Sequence, residues 1–464
     1  MILHSSLVDG SIWVIWAVLE AVDFVLVELF QVYSHVKISI SNTQRTIASK
    51  KKPHVVIVGA SFAGLTVQRH LTSHIKGEVD VTVVDMKTYF EYLPGVLRCF
   101  VEPSHFSQIS CPLSVLRDTT VVTGQVVAVD AAKRWEDQTK NQVKLKDGRT
   151  LSFDFIVLAA GSTYAAPIKA TTSTKLLTER QEQWNSAAAD LEAANIIVII
   201  GAGAVGVELA GEILTKYASK RLVMIDMAST ILPGFRQESV EYATKWLKTN
   251  GAELKLGAPL KEISEKYVVF EDGTKLEVDL IYKCTGGAPN SSFLKSGSLA
   301  TSVKGPKGAV VVNDHLQVDG FPHVFCAGDI CYHAESNELK LGHTAQVNAH
   351  LVSENLVRLV HSSPEEKEVL LLNYPSGVVG NSATPKIYCL SLGKYHATLA
   401  MNAMVLSGSF VAVLKWLLEW TQTAAAAQRP IGVLFWFVAD EVSNFLGRTI
   451  LPTKTTTTTL GKKI

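Results

Sequence analysis

Two short glycine-containing loops hold the residues of this 464-residue sequence that are best suited to chemistry. The first loop consists of Gly59, Ala60, Ser61, Phe62, Ala63 and Gly64. The second contains Gly201, Gly203, Gly206 and, at its end, Glu208. Such a loop lets a strand turn tightly into a helix, and the free N–H groups of that helix attract a pyrophosphate. The spacing predicts two dinucleotide sites, with Ser61 at the usual position of a glycine.

An aspartate ends the apolar run that follows each loop, Asp85 in the first case and Asp226 in the second. A carboxylate at such a strand end can accept a hydrogen bond from a ribose hydroxyl. A carboxylate at Asp226 would also repel a 2′-phosphate. The second site is therefore predicted to take NADH, with NADPH as the less favoured alternative.

A longer repeat supports two copies of one unit. Residues 147–161 align without gaps on residues 272–286, and each copy contains an Asp-Gly turn followed by an apolar run that ends in glycine, Gly161 or Gly286. Each copy is typical of a hairpin that leads into a buried strand whose last glycine lies beside a ligand. The chain is therefore predicted to carry one three-layer module twice.

These elements define an α/β fold class with two Rossmann-like, three-layer dinucleotide-binding domains and amphipathic segments at both ends. We expect five consecutive parts: an apolar N-terminal segment (1–52), the first part of one nucleotide domain (53–165), the second nucleotide domain (166–290), the second part of the first domain (291–370) and a C-terminal domain with apolar helices (371–464).

Composition excludes several classes of protein. Lys and Arg total 44 against 43 Asp and Glu, and this formal net charge of +1 is too small to attract nucleic acid. The six cysteines form no Cys-x-x-Cys pair and no cysteine follows the first loop closely, which excludes electron transfer through a dithiol relay. Cys326 and Cys331 are expected to point apart and to pack in the core. No metal site is predicted.

Both ends of the chain are unusually apolar. Residues 11–36 contain Glu20, Asp23 and Glu28, which argues against a membrane-spanning helix. A helix on a membrane surface, a helix docked on the protein and a targeting segment remain as alternatives. Residues 409–420 and 430–438 form a second amphipathic region, and the threonine-rich tail after Leu451 is expected to be disordered. We expect a membrane-associated protein, on the cytoplasmic face or on an organelle membrane such as the mitochondrial one, that is not secreted.

Several further motifs resemble those of one family. They are Val84 to Lys87, Leu97-Arg98, Cys284 to Gly286, Asn313 to Gly320 and Ala327 to Asp329. As a set they are similar to the apoptosis-inducing factor 2-like or ferroptosis suppressor family, which consists of NAD(P)H:quinone oxidoreductases related to type II NADH dehydrogenases. The resemblance implies a glutathione-reductase-like arrangement, FAD and NADH as cofactors, and a quinone or another lipophilic electron acceptor.

The resemblance also implies roles for individual residues. FAD would contact the first loop, Asp85, Lys87, Arg98, Val126, Gly161 and Asp329. NADH would contact the second loop, Asp226 and Gly286, and Glu208 at the end of that loop would face NADH and is a candidate catalytic residue. The departures from the family pattern are Ser61, the Ala-Ala-Gly161 sequence and the two long apolar ends.

Residues 344–350 resemble in part a helix that type II NADH dehydrogenases place at the quinone. Gln346 and His350 are candidates to hydrogen-bond a quinone oxygen or to supply a proton. The alternative is that this is the first turn of a helix that packs under the flavin. A soluble reductase of a small electron-carrier protein and an NADH-sensing, apoptosis-inducing-factor-like signalling protein remain as alternative functions, and a homodimer remains open.

Overall fold

The computed structural model describes residues 8–23, 52–133, 140–336, 339–362, 368–374, 387–401, 404–438 and, for the backbone, 455–459. Glu28 and the rest of the predicted N-terminal segment beyond residue 23 lie outside the described residues. Within this part of the chain the fold is α/β, with parallel strands at the centre of two separate sheets.

The first sheet has eight strands in the order β20-β17-β18-β19-β9-β1-β2-β5. The strands are β1 (His54–Val58), β2 (Asp80–Asp85), β5 (Thr120–Thr123), β9 (Phe155–Leu158), β17 (Val310–Val312), β18 (Gln317–Val318), β19 (Phe321–Cys326) and β20 (Cys331–His333). Val55 to Val58 of β1 are buried because the strand is parallel to both β2 and β9 and is covered on both faces. Helices α1 (Phe62–His74) and α5 (Gly342–His361) pack together beside this sheet.

The second sheet is a smaller copy of the same design, with the strand order β12-β11-β10-β16. The strands are β10 (Ile196–Ile200), β11 (Arg221–Asp226), β12 (Ala252–Leu256) and β16 (Leu280–Lys283). Helices α2 (Leu177–Ala193), α3 (Ala204–Lys216) and α4 (Gln237–Thr249) belong to the same stretch of chain. The sequence pattern of residues 179–192 predicts a helix after a Thr/Ser-rich linker, and α2 confirms it.

Each sheet has a three-stranded antiparallel meander. The first consists of β6 (Val126–Asp130), β7 (Gln142–Leu145) and β8 (Thr150–Ser152), and the second of β13 (Leu260–Ile263), β14 (Tyr267–Phe270) and β15 (Lys275–Glu277). The aspartate after each meander fixes the first strand of its module. Asp154 Oδ2 accepts from the backbone N–H of His54 at 2.6 Å, and Asp279 Oδ2 accepts from that of Ile196 at 2.8 Å. The predicted repeat is therefore confirmed down to single hydrogen bonds.

Three local predictions were wrong. The apolar pattern of residues 121–130 predicts one strand of an antiparallel meander, but β5 joins the parallel sheet beside β2 and only β6 joins the meander. The threonine-rich tail contains strand β25 (Thr455–Thr459), which pairs antiparallel with β21 (Glu368–Leu372). Cys326 and Cys331 do not point apart: their thiols interact, and burial followed by that contact raises the pKa of Cys326 well above its usual value.

Most of the remaining elements lie in two stretches of the chain, one between β2 and β5 and the other in the C-terminal part. A short antiparallel pair, β3 (Tyr89–Glu91) and β4 (Ser110–Pro112), flanks the 3-10 helices Leu93–Phe100 and Pro103–Gln108; a third, Leu113–Val115, follows β4. The sheet β22 (Tyr388–Ser391), β23 (Ala397–Met401) and β24 (Met404–Gly408) leads into α6 (Ser409–Ala426). Residues 8–23 and 430–438 are also helical. None of the described helices has both the length and the apolar run needed to cross a bilayer.

Candidate functional site

The first glycine loop has the backbone that a tight strand-to-helix turn requires. Gly59 has φ +108°, and a Cβ there would overlap the carbonyl oxygen of Ala159. A Cβ at Gly64 would overlap the carbonyl oxygen of Gly59, so the helix can approach the turn closely only without side chains. Ser61 takes the extended N-cap position of α1, and no side chain caps the helix. Its first turn is therefore available to an anionic group.

Asp85 holds this loop in place from the end of β2. Its Oδ2 accepts from the backbone N–H of Ala60 at 2.7 Å, and its Oδ1 accepts from that of Lys87 at 2.9 Å. Each carboxylate oxygen has a second lone pair with which to accept from a ribose hydroxyl. The carboxylate is thus fixed in position before any ligand binds.

The second loop repeats this construction. Gly201 has φ +109°, and a Cβ at Gly206 would overlap the carbonyl oxygen of Gly201. Asp226 accepts from the backbone N–H of Ala202 at 2.6 Å and from that of Ala228 at 2.8 Å. Gly203 is the N-cap of α3, and no described atom lies within 4 Å of a Cβ placed there. The open space beside Gly203 lets a pyrophosphate approach the backbone.

Open space also lies beside the glycines that follow the central strands. No described atom comes within 4 Å of a Cβ placed at Gly161 or at Gly286. Both residues follow strands that lie next to the loop-bearing strand of their own sheet, β9 beside β1 and β16 beside β10. The two glycines therefore border the edge at which each loop turns, as the sequence predicts.

Asp329 lies in a polar cluster at the same edge of the first sheet. Its Oδ2 accepts from Ser162 Oγ at 2.6 Å and is 3.5 Å from Lys169 Nζ. Burial lowers the pKa of Lys169, although the charge of Asp329 opposes that effect. The amide oxygen of Asn348, on α5, accepts from the backbone N–H of Gly328 at 3.1 Å. Asn348 and Lys169 were not singled out from the sequence, yet they fix the segment that presents Asp329.

Arg98 lies on the 3-10 helix Leu93–Phe100 of the first module, with 18% of its side chain exposed, and reaches toward the second module. Its guanidinium Nη2 is 3.3 Å from Glu212 Oε1 on α3, while its Nε is buried with no protein partner in the described part of the chain. Burial opposes the charge, but Glu212 and Glu419 outweigh it and raise the pKa of Arg98. A buried donor without a partner is costly, which fits a ligand acceptor beside Arg98.

Two further predicted flavin contacts lie on neighbouring elements. Lys87 follows β2, and its Nζ is 3.2 Å from Glu91 Oε1, whose other oxygen accepts from Arg180 Nε at 2.9 Å. The two cations offset burial and lower the pKa of Glu91. Val126 begins β6 and is half-buried. Their contacts to a cofactor stay predictions.

Glu208 has partners that the sequence did not indicate. Its Oε1 accepts from the backbone N–H of Ser391 at 2.8 Å, from Ser391 Oγ at 3.0 Å and from Lys415 Nζ. Lys415 belongs to α6 and is buried. Burial lowers the pKa of Lys415, but the charge of Glu208 outweighs it, so the net change is upward. The helix after the second loop is thereby tied to the C-terminal region by a buried ion pair.

Glu419, one turn further along α6, extends this buried network to the first module. Its Oε1 is 3.2 Å from Nε2 of His105. Burial raises the pKa of Glu419, but His105, Arg98 and Lys415 together lower it. The available sequence signal was the Lys-x-x-x-Glu spacing inside an apolar helix, which places both charges on one face. That face of α6 points into the protein, so Lys415 and Glu419 are both buried.

Gln346 and His350 lie on α5, where the sequence placed the candidates for acceptor contact. The side-chain amide of Gln346 exchanges two hydrogen bonds of 3.0 Å with that of Gln422 on α6. The ring of His350 lies edge-on to the ring of His70, with 6.1 Å between centroids. The structure thus brings α5 and α6 together at Gln346, and contact of either residue with an acceptor stays a prediction.

These observations fit two dinucleotides better than any other ligand class. Each loop offers an uncapped helix N-terminus, a fixed aspartate and space at a strand-ending glycine. The first site adds Asp329 and the unpaired Nε of Arg98, which suit the hydroxyl and anionic groups of FAD. The second adds Glu208 at the base of α3.

Comparison with known proteins agrees with this geometry. The family model of the pyridine nucleotide-disulphide oxidoreductases matches residues 53–349. The chain belongs to this family. The members of the pyridine nucleotide-disulphide oxidoreductase family are redox enzymes that use a flavin and a pyridine nucleotide, and both cofactor classes therefore apply to this chain.

Individual relatives lie within the group that the motifs indicated. Ferroptosis suppressor protein 1 of Homo sapiens is 31% identical over 329 residues, which cover 67% of this chain and 82% of that protein. The resemblance to this branch of the pyridine nucleotide-disulphide oxidoreductases is therefore confirmed.

Solved structures share the fold. The sulfide:quinone oxidoreductase of Aquifex aeolicus superposes with a TM-score of 0.65 at 14% identity, covering 89% of this chain and 98% of that one. NDH2 of Plasmodium falciparum in complex with NADH superposes with a TM-score of 0.63 at 12% identity, covering 86% and 100%. At these identities the agreement concerns architecture, and it confirms the predicted α/β fold class.

Proposed function

We propose that this protein is an FAD-dependent oxidoreductase that takes a hydride from NADH and reduces a quinone-type acceptor at a membrane surface. The observation that carries the proposal is that α3, which follows the second loop, meets both the first module and the C-terminal region. Glu212 of α3 pairs with Arg98, and Glu208 pairs with Lys415. We also propose the division of the chain into the five consecutive parts that the sequence predicts.

A bound flavin would supply the redox chemistry, accepting a hydride from NADH and passing electrons to the acceptor. The residues of the chain then act by binding and orientation. The first loop, Asp85 and Asp329 would hold FAD, and the second loop and Asp226 would hold NADH. Lys415 and Glu208 form a buried, charge-compensated pair that keeps the C-terminal helix α6 against the junction of the modules.

The coenzyme preference rests on Asp226. Its two carboxylate oxygens already accept from backbone N–H groups at 2.6 and 2.8 Å, so the side chain cannot swing away from a 2′-phosphate. A phosphate at that position would meet a fixed negative charge. This supports NADH as the preferred donor.

Three observations support a quinone-type electron acceptor: the lack of a redox cysteine pair in the sequence, the related solved structures, and the apolar ends of the chain. The described cysteines are all free thiols, and a cysteine pair of the kind that disulfide reductases place after the first loop is missing from the sequence. Two structures of this fold are a sulfide:quinone oxidoreductase and NDH2 with bound NADH. Together with the apolar termini, they support a lipophilic acceptor, which reaches the protein from a membrane on the cytoplasmic side or in an organelle.

Steady-state oxidation of NADH by the purified, FAD-loaded protein tests this function. Short-chain ubiquinone, short-chain menaquinone and ferredoxin are compared as acceptors at equal NADH concentration. We expect turnover with at least one quinone and little with ferredoxin. Preference for ferredoxin would identify a soluble carrier reductase. Slow turnover with every quinone, accompanied by a change in dimerisation on reduction, would identify a signalling protein.

A further inference from the structure

The N-terminal helix (residues 8–23) has its charged and apolar sides reversed relative to an ordinary surface helix. Its three charged residues, Asp9, Glu20 and Asp23, all form ion pairs with the body of the protein. Its solvent-exposed positions are Gly10, Ser11, Trp13, Val14, Trp16, Val18, Ala21 and Val22. An ordinary surface helix turns its charges toward water and its apolar stripe inward. Here none of the exposed positions carries a charge, although the paired side chains of Asp9 and Glu20 are 45% and 34% exposed.

Arg429 neutralises the acidic residues at the end of this helix. Its guanidinium binds Glu20 in a bidentate manner, with N···O distances of 2.9 and 2.7 Å, and its Nε donates to Asp23 Oδ2 at 2.7 Å. The other oxygen of Asp23 accepts from the backbone N–H of Ile431 at 2.9 Å. Asp23 therefore also satisfies a free donor in the first turn of the helix at residues 430–438. The N-terminal and C-terminal helices are joined by these contacts.

The opposite end of the N-terminal helix is also fixed. Asp9 Oδ1 is 2.9 Å from Lys394 Nζ, and its Oδ2 accepts from the Tyr395 hydroxyl at 3.1 Å. Asp9 and Arg429 thus hold the helix at two points that are about 20 Å apart along its axis. Between these points its exposed face stays apolar.

The two C-terminal helices show the same reversal. Helix α6 buries Lys415 and Glu419, while Phe410 is 70% exposed and Leu418 is 37% exposed. In the helix at residues 430–438 the exposed positions are Leu434, Phe435, Phe437 and Val438. Gly432 lets this helix lie directly on α6, because a Cβ there would overlap the backbone at Ala424 and Ala425. The three helices are therefore neighbours: the N-terminal helix contacts residues 429–431, and the helix at residues 430–438 lies on α6.

We propose that these three helices form a single lipid-docking surface that lies in the interface of a bilayer and that Arg429 holds together. The surface is defined by Trp13, Val14, Trp16, Val18, Val22, Phe410, Leu418, Leu434, Phe435, Phe437 and Val438. The inference rests on the proposed function, in which a membrane delivers the acceptor, and it names the part of the protein that meets that membrane.

A lipid bilayer fits this surface better than a second protein chain does. The exposed positions of the three helices include no charged side chain among the described residues, so the surface offers little that would fix the register of a protein partner. Trp and Phe side chains are favoured at the boundary between headgroups and acyl chains. Placing a free carboxylate there is costly, and the Arg429 contacts remove that cost for Glu20 and Asp23.

Arg429 makes the two ends of the chain interdependent. Without its guanidinium, Glu20 and Asp23 would be uncompensated beside an apolar surface, and the N-terminal helix would lose its hold on residues 430–438. Both ends should therefore bind lipid together and lose binding together. A surface built from two independent anchors would instead lose only one part of its affinity when Arg429 is replaced.

The test uses the full-length protein and flotation with vesicles of phosphatidylcholine, a zwitterionic lipid with no net charge. We expect the unaltered protein to float, and Trp13→Ser/Trp16→Ser to reduce vesicle affinity roughly tenfold or more. Arg429→Gln should reduce it similarly. Adding Glu20→Gln and Asp23→Asn to Arg429→Gln should restore most of the binding, because that variant has no unpaired acid facing lipid and its three neutral amides can still hydrogen-bond to one another. Ile263→Gln, an exposed apolar site on β13, and Arg149→Gln, an exposed arginine, are matched controls that should float normally.

NADH oxidation with a water-soluble short-chain quinone, measured without vesicles, separates this inference from the proposed function. The surface variants should keep that activity. If the unaltered protein stays at the bottom of the gradient while it oxidises NADH with the quinone, the surface is not a lipid-docking surface, although the NADH:quinone oxidoreductase activity stands. A dimer in sedimentation that Trp13→Ser/Trp16→Ser dissociates, without vesicle binding, would assign the surface to a second copy. Failure of the triple variant to regain binding contradicts the role of Arg429.

Discussion

Replacing Lys415 with methionine tests how much its buried ion pair with Glu208 stabilises the junction between the two modules and the C-terminal region. The substitution removes a positive charge that contacts Glu208, the Ser391 hydroxyl at 3.3 Å and the carbonyl oxygen of Cys389 at 3.2 Å. Removing one member of a buried pair costs about 3–5 kcal/mol, because the other charge stays buried. Glu208 keeps its two hydrogen bonds from Ser391, so we expect a loss of about 2–4 kcal/mol.

The measurement is the free energy of unfolding in urea at neutral pH, arranged as a double-mutant cycle with Glu208→Gln. Neutral pH is appropriate because burial lowers the pKa of Lys415 but Glu208 raises it further, to a net value above 10.5. A base whose pKa is raised by folding gives its full stabilisation below its unfolded pKa and loses it as pH rises through the folded value. Raising the pH should therefore weaken the pair only in strongly alkaline solution.

The double-mutant cycle has a matched control, Lys76→Met, and a result that would refute the argument from burial. Lys76→Met removes an exposed pair with Asp118, whose N···O distance is 2.7 Å, and should cost less than about 1 kcal/mol. In the Glu208→Gln background, Lys415→Met should cost about 2 kcal/mol less than it does alone. Equal costs in both backgrounds, or a cost of Lys415→Met as small as that of Lys76→Met, would refute the argument from burial.

Three further predictions follow from single residues. Asp226→Ala should lower the NADH-to-NADPH ratio of kcat/KM about tenfold, and an unchanged ratio would remove the assigned role of this carboxylate. Gly203→Ala should leave stability within about 0.5 kcal/mol but raise the KM for NADH, whereas Gly206→Ala, with no room for a Cβ, should destabilise the fold by about 2 kcal/mol or more; equal unfolding energies would contradict the geometry. Burial lowers the pKa of His323 from 6.5 to about 4, so about 3 kcal/mol of stability should be lost as pH falls between those values. His323→Gln should flatten that part of the urea stability profile, and an unaltered profile would assign the acid sensitivity elsewhere.

The sequence predicted the parts of the fold that depend on local pattern. The glycine loops, the strand-ending aspartates and the repeated Asp-Gly hairpins are encoded in short stretches, because a tight turn and a buried parallel strand each need particular residues nearby. The repeat from 147 to 161 even predicted equivalent residues, Asp154 and Asp279, which make the same hydrogen bond in the two modules.

The parts that depend on distant contacts could not be predicted in this way. Lys415 meets Glu208 across 207 residues, and Arg429 meets Glu20 across 409 residues. The acidic residues of the N-terminal segment argued against a membrane-spanning helix, since nothing nearby in the sequence compensates their charge. The structure provides the compensation from the far end of the chain. It likewise pairs the threonine-rich tail with β21, whose unpaired edge no local pattern reveals.

The most direct test of the proposed function is anaerobic reduction of the purified protein, followed by its visible absorbance. After reconstitution with FAD, we expect a yellow protein that NADH bleaches within one turnover and that a short-chain quinone then restores to its oxidised spectrum. A protein that stays colourless after incubation with FAD, or a flavin absorbance that NADH leaves unchanged, would contradict the proposal that the two glycine loops bring flavin and nicotinamide together.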